Sequence, residues 1–353
     1  MAGGVGERFW PLSRKNFPKQ LVHIGERGSM LHAAIERVRP LVGIQNIYVV
    51  TAANLRPAIL KEVEILEPAN VLAEPDARNT AVCLTFATAV IQARYSEDVV
   101  AIVLAADHHV PNEQAFQSDC LHALRFAEEN DALITFGIRP RRPETGFGYI
   151  EVGESASRHA PIFRVSAFRE KPDTETAKQF LADGRFLWNS GMFVWRLSIL
   201  SNGLAKHLPA IYSKIDAIKQ TQNDPTALAA VYSTMEKVSI DVGLLERADN
   251  VYVVRASFEW DDIGAWTAMT RLLGKDFAGN TVLGQGALVK CADCIVYNSP
   301  VDDGPQRLVI GYNLQNMIIV STADAVMILP AEDDQRVKDI VAFIRNKGLD
   351  EYL

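Results

Sequence analysis

The chain opens with "MAGGVGERFWPLSR" (residues 1–14). Gly3, Gly4 and Gly6 crowd beside Arg8 and Arg14, and Lys19 follows in "FPKQ". Glycines let backbone N–H groups approach an anion with no Cβ in the way. Arginines add charge-assisted, bidentate contacts. The stretch therefore reads as a loop that faces phosphate. Two familiar glycine loops do not fit it. The dinucleotide fingerprint needs G-x-G-x-x-G after a strand, and counting from Gly4 puts Phe9 where the third glycine belongs. The string G-x-x-x-x-G-K-[ST] of a P-loop does not occur.

Downstream, "NIYVVT" (46–51), "NVLA" (70–73), "VVAIVLAAD" (99–107) and "ALITFGI" (132–138) read as buried strands bounded by polar turns. Leu31, Ile35 and Val38 mark a helical face, with Ser29 as its N-cap. Residues 53–66, 79–95 and 112–130 also read as helices. Such alternation predicts an α/β fold with a Rossmann-like, mostly parallel sheet. In those sheets ligands bind beyond the carboxyl ends of the strands.

Past about residue 140 short strands follow around "FGYIEV", "IFRVSAFREK" and "FLWNSGMFVW". A helical stretch fills roughly 196–246, and "VYVVRA" (251–256) is another strand. From about 277 the texture is β-rich, closing on a helix with Val337, Ile340, Val341 and Ile344 at helical spacing. These rhythms predict two domains, 1–275 and a small β-rich domain over 276–353 that ends in a helix.

Hydrophobic residues make up 48% of the 353 positions, charged residues 22%, and the net charge is −7. That balance speaks against nucleic acid as a general partner. No apolar run reaches transmembrane length and no secretory pattern is present, so no membrane partner and a cytoplasmic location are expected. Four cysteines do not make a disulfide scaffold. Cys291 and Cys294 form a C-x-x-C without a second pair or a nearby histidine, and are read as incidental rather than as a metal or redox site.

"AGGVGERFWPLSRKNFPKQL" resembles the signature of sugar-1-phosphate nucleotidylyltransferases, with its W-P-L-S-R and P-K-Q pieces similar to the mannose-1-phosphate guanylyltransferase branch. Further similar blocks follow in order: "EPDARNTA" (74–81), "LAADHHV" (104–110), "RPETGFGYIEVG" (142–153), "FREKPD" (168–173), "FLWNSGMFVW" (186–195), "SIDVGLLE" (239–246) and "FEWDDIGAW" (258–266). The resemblance makes residues 1–275 the catalytic domain. It also implies a short hydrophobic strand ahead of Ala2, at the centre of the sheet, so the natural start is expected upstream of Met1. A central parallel strand has two ladders and two buried faces, and a chain without it is expected to be badly destabilised.

The reaction implied by the resemblance is transfer of GMP from GTP to α-mannose 1-phosphate, giving GDP-mannose and pyrophosphate. A sugar-phosphate oxygen attacks the α-phosphorus in line, so charge neutralisation and alignment are the main tasks. Mg²⁺ prefers one or two carboxylates plus phosphate oxygens; Asp107 and Asp262 are its expected ligands, with Asp261 set aside. His108 and His109, adjacent in the chain, point to opposite sides and are poor joint ligands.

Arg8, Lys19 and Lys171 are the expected catalytic cations. Gly3, Gly4, Gly6, Glu74, Asn79 and Thr80 are expected on the nucleotide side. Gly146, Tyr149, Glu170, Lys171 and Asn189 are expected around the sugar phosphate, with Gly146 and Tyr149 walling the hexose. Arg78 is left between a phosphate contact and a surface charge. No residue is singled out as reading guanine. Alternatives are a nucleotidylyltransferase for another sugar 1-phosphate or nucleotide, and a noncatalytic paralogue that binds nucleotide sugar. The tail holds no histidine, the last being His207, so no isomerase domain of the cupin type is expected. It reads as a packing or dimerisation module, a homodimer being the default assembly.

Overall fold

The computed structural model describes residues 1–4, 6–23, 28–221, 224–300 and 307–353. Residues 222–223 of the expected helical stretch lie outside them. The strands in chain order are β1 (Val49–Ala52), β2 (Val71–Glu74), β3 (Val100–Val103), β4 (Leu133–Ile138), β5 (Tyr149–Ser155), β6 (Ile162–Arg169), β7 (Phe186–Arg196) and β8 (Val251–Arg255). A β-rich segment follows with β9 (Thr281–Leu283), β10 (Gly286–Val289), β11 (Ile295–Asn298), β12 (Val309–Tyr312), β13 (Met317–Ser321) and β14 (Val326–Pro330).

The larger sheet runs β3-β7-β4-β8-β6-β5, and β7 also pairs with β5. Its parallel pair is β4–β8; β1 and β2 form a second parallel pair. The eleven-residue β7 runs antiparallel to β3, β4 and β5. Gly191, at φ +68°, lies midway along it, in a region of backbone space that a residue with a Cβ seldom visits. The register against β4 shifts between Thr135 and Gly137. That irregularity sits beside Asn189, so β7 delivers a polar side chain in the middle of an otherwise buried strand.

The apolar run 99–107 forms ladder pairs only over Val100–Val103. Beyond it the chain turns to the amino terminus. The Met1 amino group donates to the Leu104 carbonyl (2.7 Å), and Ala106 N donates to the Met1 carbonyl (2.9 Å). Ala2 N donates to the Val50 carbonyl (2.7 Å) on β1. Met1 and Ala2 thus bridge β1 and the segment that follows β3. The rest of the space between β1 and β3 is an apolar slot of about 460 Å³, walled by Ile35, Val38, Leu84, Ile91, Trp195 and Leu200.

Helices cover both faces. Met30–Val42 is capped by Ser29, whose hydroxyl accepts from His32 N. It packs with Glu113–Glu129 on one side, while Asn79–Arg94 and Leu197–His207 pack on the other.

In the β-rich segment β9, β11 and β13 stack in parallel, β14 closes antiparallel on β13, and β10 pairs with β12. Lys290, Asp293, Asn313 and Asn316 turn the coil at φ near +53°. This segment shares a core with the opening loop and the 263–269 stretch, through Phe9, Trp10, Trp266 and Tyr297. Cys291 and Cys294 are buried in it, donating to the Val289 and Ala292 carbonyls. No helix among the described residues is long and apolar enough to cross a membrane.

Candidate active site

The opening glycines form a tight loop over the ends of β1 and β2. Gly6 adopts φ +73°, and a Cβ there would sit 2.5 Å from that of Lys19. Gly3 lies against Glu74, a Cβ on it falling 3.6 Å from the Glu74 carboxylate. The Gly4 carbonyl accepts from Gln20 Nε2 (2.9 Å). Close approach of "PKQ" from the following turn thus requires a glycine at position 6.

That turn buries Lys19, leaving it 5% exposed. Its ammonium donates to Asp107 Oδ2 (2.8 Å) and to the Asp262 carbonyl (2.8 Å). Segments 88 and 243 residues away from Lys19 therefore converge on one nitrogen. Burial alone would raise the Asp107 carboxyl; the Lys19 charge and the Lys19 hydrogen bond outweigh it and hold it below the usual range. Burial raises the Asp262 carboxyl, with the neighbouring Asp261 and Asp107 charges acting in the same sense against Lys19. Asp261 is otherwise committed. Its carboxylate takes two bonds from Arg271 (2.5 and 3.0 Å) and one from Ile263 N (2.8 Å).

Two hard carboxylates on neighbouring loops, only partly neutralised by one lysine, suit a small divalent cation that shares phosphate oxygens. Among the described residues no group of three or more His, Cys, Asp or Glu is gathered as a metal site. His108 is turned away from metal binding. Its Nδ1 accepts from Trp260 Nε1 (3.1 Å), and burial pushes the imidazole down to about 4. The backbone of His109 pairs with that of Asp261, fastening the two acidic loops together.

Arg8 is exposed at the loop's rim, donating to Gln335 Oε1 (2.8 Å). The β-rich segment holds both acidic and basic loops from behind. Asp334 accepts from Trp266 N and Thr267 N (3.0 Å each), and Trp10 Nε1 donates to the Tyr352 carbonyl (2.7 Å). Arg14 is drawn the same way, to Asp324 (2.8 Å), so only Arg8 of the two arginines stays at the rim.

On the nucleotide side Glu74 ends β2 and is 6% exposed. Burial pushes its carboxyl up to about 7, against hydrogen bonds to Cys83 and Tyr232. Asn79 sits at φ +69° and accepts from Thr80 N (2.8 Å), while the Thr80 hydroxyl accepts from Ile240 N (2.9 Å). Both side chains thus brace backbone. Arg78 pairs with Asp76 (2.8 Å) and donates to the Met235 carbonyl (3.2 Å), so the structure gives it a surface partner.

Across the sheet, β6 leads into Glu170 and Lys171, which pair with each other at 2.9 Å. Lys171 takes φ +44°, and its side chain is 62% exposed. A Cβ on Gly148 would fall 2.7 Å from the Glu170 carboxylate. Gly146 is exposed, its N–H donating to Glu144 (3.1 Å). The expectation that Tyr149 walls the hexose is corrected. Tyr149 is fully buried, its ring packed on Phe180 and its hydroxyl donating to the Glu144 carbonyl (2.9 Å). As the first residue of β5 it alternates inward; it fixes the 144–146 turn from beneath and offers no ring face. Asn189 donates from Nδ2 to Asp241 (2.8 Å) and accepts at Oδ1 from Thr135 (2.8 Å). Asp241 lies within "SIDVGLLE" but is given no part by sequence reasoning; its place in that block, flanked by apolar residues, is its signal.

The nucleotidyl transferase family profile matches residues 1–276. A mannose-1-phosphate guanylyltransferase of Klebsiella pneumoniae is 34% identical over 361 aligned positions, covering 100% of this chain and 74% of that protein. The xanthan biosynthesis protein XanB of Xanthomonas campestris is 34% identical, covering 99% of this chain and 73% of that protein. Among solved structures, one described as mannose-1-phosphate geranyltransferase from Thermus thermophilus superposes with a TM-score of 0.87 at 29% identity, covering 98% of both chains. A glycine loop locked by a buried lysine onto two acidic loops, on a chain alike throughout to these proteins, belongs to the nucleotidyl transferase family and within it to the mannose-1-phosphate guanylyltransferases.

Proposed function

We propose that this chain transfers GMP from GTP to α-mannose 1-phosphate, releasing pyrophosphate. The observation that carries the reading is the Lys19 ammonium joined to Asp107 and to the Asp262 backbone, each at 2.8 Å, directly beneath the glycine loop. A nucleotidyl transfer between two polyanions needs fixed positive charge, fixed acceptors for a cation, and backbone donors for phosphate. The buried Lys19 contacts, with Gly6 packed on the lysine's stem, support that reading.

Asp107 and Asp262 would hold a magnesium ion, which when bound supplies neutralisation of phosphate oxygens. Arg8, exposed on the rim, contacts the β- and γ-phosphates and stabilises charge on departing pyrophosphate. Releasing Gln335 frees its guanidinium for that task. Lys19 holds Asp107 ionised and fixes the distance between the two acidic loops. Lys171 leaves Glu170 to bind the sugar phosphate, and Glu170 then accepts from hexose hydroxyls. The attacking phosphate oxygen is already ionised at neutral pH, so no general base is required.

The test is incubation of the purified chain with Mg²⁺, α-mannose 1-phosphate and each nucleoside triphosphate in turn, following pyrophosphate release. Release with GTP alone is expected. Release with another nucleotide instead would keep the mechanism and overturn the specificity.

A further inference from the structure

Asn189 is held at both ends of its carboxamide. The Thr135 hydroxyl donates to Oδ1 (2.8 Å), and Gly191 N approaches the same oxygen (3.4 Å). The opposite end, Nδ2, donates to Asp241 Oδ1 (2.8 Å). The network fixes the amide's orientation, so one carboxylate oxygen of Asp241 is held at the mid-strand bend of β7. Asp241 begins a single π turn, Asp241–Leu245, an irregularity that recurs at functional sites.

Its carboxylate accepts from the Asn189 side chain and from its own backbone N–H. Burial pushes its carboxyl up to about 6, and the nearby Glu170 charge adds to this. Among the described residues no side chain other than Asn189 donates a hydrogen bond to it. A carboxylate with one side-chain donor, beside a second carboxylate, is stabilised further when something brings hydroxyl donors. A hexose does so, with adjacent O–H groups on one edge.

We propose that Asp241 is a hexose-binding residue of this same site: with Asn189 holding one carboxylate oxygen, the other accepts a sugar hydroxyl alongside Glu170. The inference rests on the sugar-phosphate reading given above. It assigns a role to the acid of "SIDVGLLE" and explains why Asn189, whose polar atoms are both engaged by the protein, is aimed at Asp241.

The discriminating variant is Asp241→Asn. Its amide oxygen keeps the bond from Asn189, while its NH₂ replaces an acceptor by a donor. A residue that only braces Asn189 would tolerate this change. A hexose acceptor would not. Pyrophosphate release is measured with GTP and mannose 1-phosphate, first for the wild type; silence there removes the underlying reading and this inference with it. With the wild type active, Asp241→Asn is expected to raise KM for mannose 1-phosphate tenfold or more and to leave KM for GTP within twofold. Unchanged KM for both would overturn the proposal. A second arm does not depend on that variant folding. Glu170→Gln is assayed with the 2-, 3-, 4- and 6-deoxy analogues of mannose 1-phosphate. One analogue is expected still to bind more weakly than the parent, through Asp241. Loss of all discrimination among them would overturn the assignment.

Discussion

Two lysine–carboxylate pairs lie in this molecule at nearly the same distance, Lys19–Asp107 at 2.8 Å and Lys171–Glu170 at 2.9 Å. They differ in their surroundings. The Lys19 side chain is 7% exposed and that of Lys171 62%. The buried ammonium also donates to the Asp262 carbonyl (2.8 Å), and a Cβ on Gly6 would strike its stem. The exposed ammonium has Glu170 alone among the described residues. Identical chemistry thus does two jobs. A desolvated pair cannot lose a partner without leaving a charge stranded, so it acts as framework. A solvated pair is worth little, so it can open and re-form on a phosphate.

The sharpest way to break the contrast is Lys19→Ala. It strands Asp107 and Asp262 side by side, and a loss of about 3–5 kcal/mol in urea unfolding is expected. A loss below about 1 kcal/mol would make the two pairs equivalent. Asp107→Asn keeps an acceptor for Lys19 but removes its counter-charge, so a smaller stability loss than for Lys19→Ala is expected, beside a fall in Mg²⁺-dependent turnover of about 100-fold, roughly 3 kcal/mol of barrier. Near-normal pyrophosphate release would remove Asp107 from the site.

Glu74 sharpens the comparison from the other side, as a buried carboxyl with no lysine or arginine paired to it among the described residues. Its folded-state value is raised to about 7 from 4.5, so the folded state holds this proton more tightly than the unfolded chain. Its contribution is full below about pH 4.5 and is lost as pH rises through about 7, on the order of 3 kcal/mol in all. Unfolding free energy measured from about pH 5 to 8 should fall for the wild type and fall less for Glu74→Gln; parallel curves would sink the assignment. Smallest is Lys171→Ala. Stability should stay within about 1 kcal/mol, while KM for mannose 1-phosphate rises about tenfold, roughly 1.4 kcal/mol, with KM for GTP unchanged. A collapse of GTP binding alone would place Lys171 on the nucleotide side.

The elements with a clear period were legible in the chain. Ser29 and the 31–38 face marked the helix Met30–Val42, and "ALITFGI" marked β4. The run 99–107 misled in length, because apolarity marks burial and only a partner strand marks a ladder; Val103 is where β7 stops pairing. The antiparallel passage of β7 between β3 and β4 was not readable either, since period and composition carry no strand direction. Tyr149 was misplaced for a related reason. An aromatic in a turn-rich block can face either way, and the first residue of β5 faces in.

The sequence alone determined which residue types are available: a glycine loop with its cations, and acids at 107 and 262 in blocks that resemble one family. Those are local facts, written in spacing and side-chain chemistry. Which lysine is framework and which is free was decided by tertiary structure. So was the meeting of Asp241 with Asn189, residues 52 apart in the chain. Burial and long-range contact set the cost of separating a charge from its partner, and neither is a property of a residue or of its neighbours in sequence.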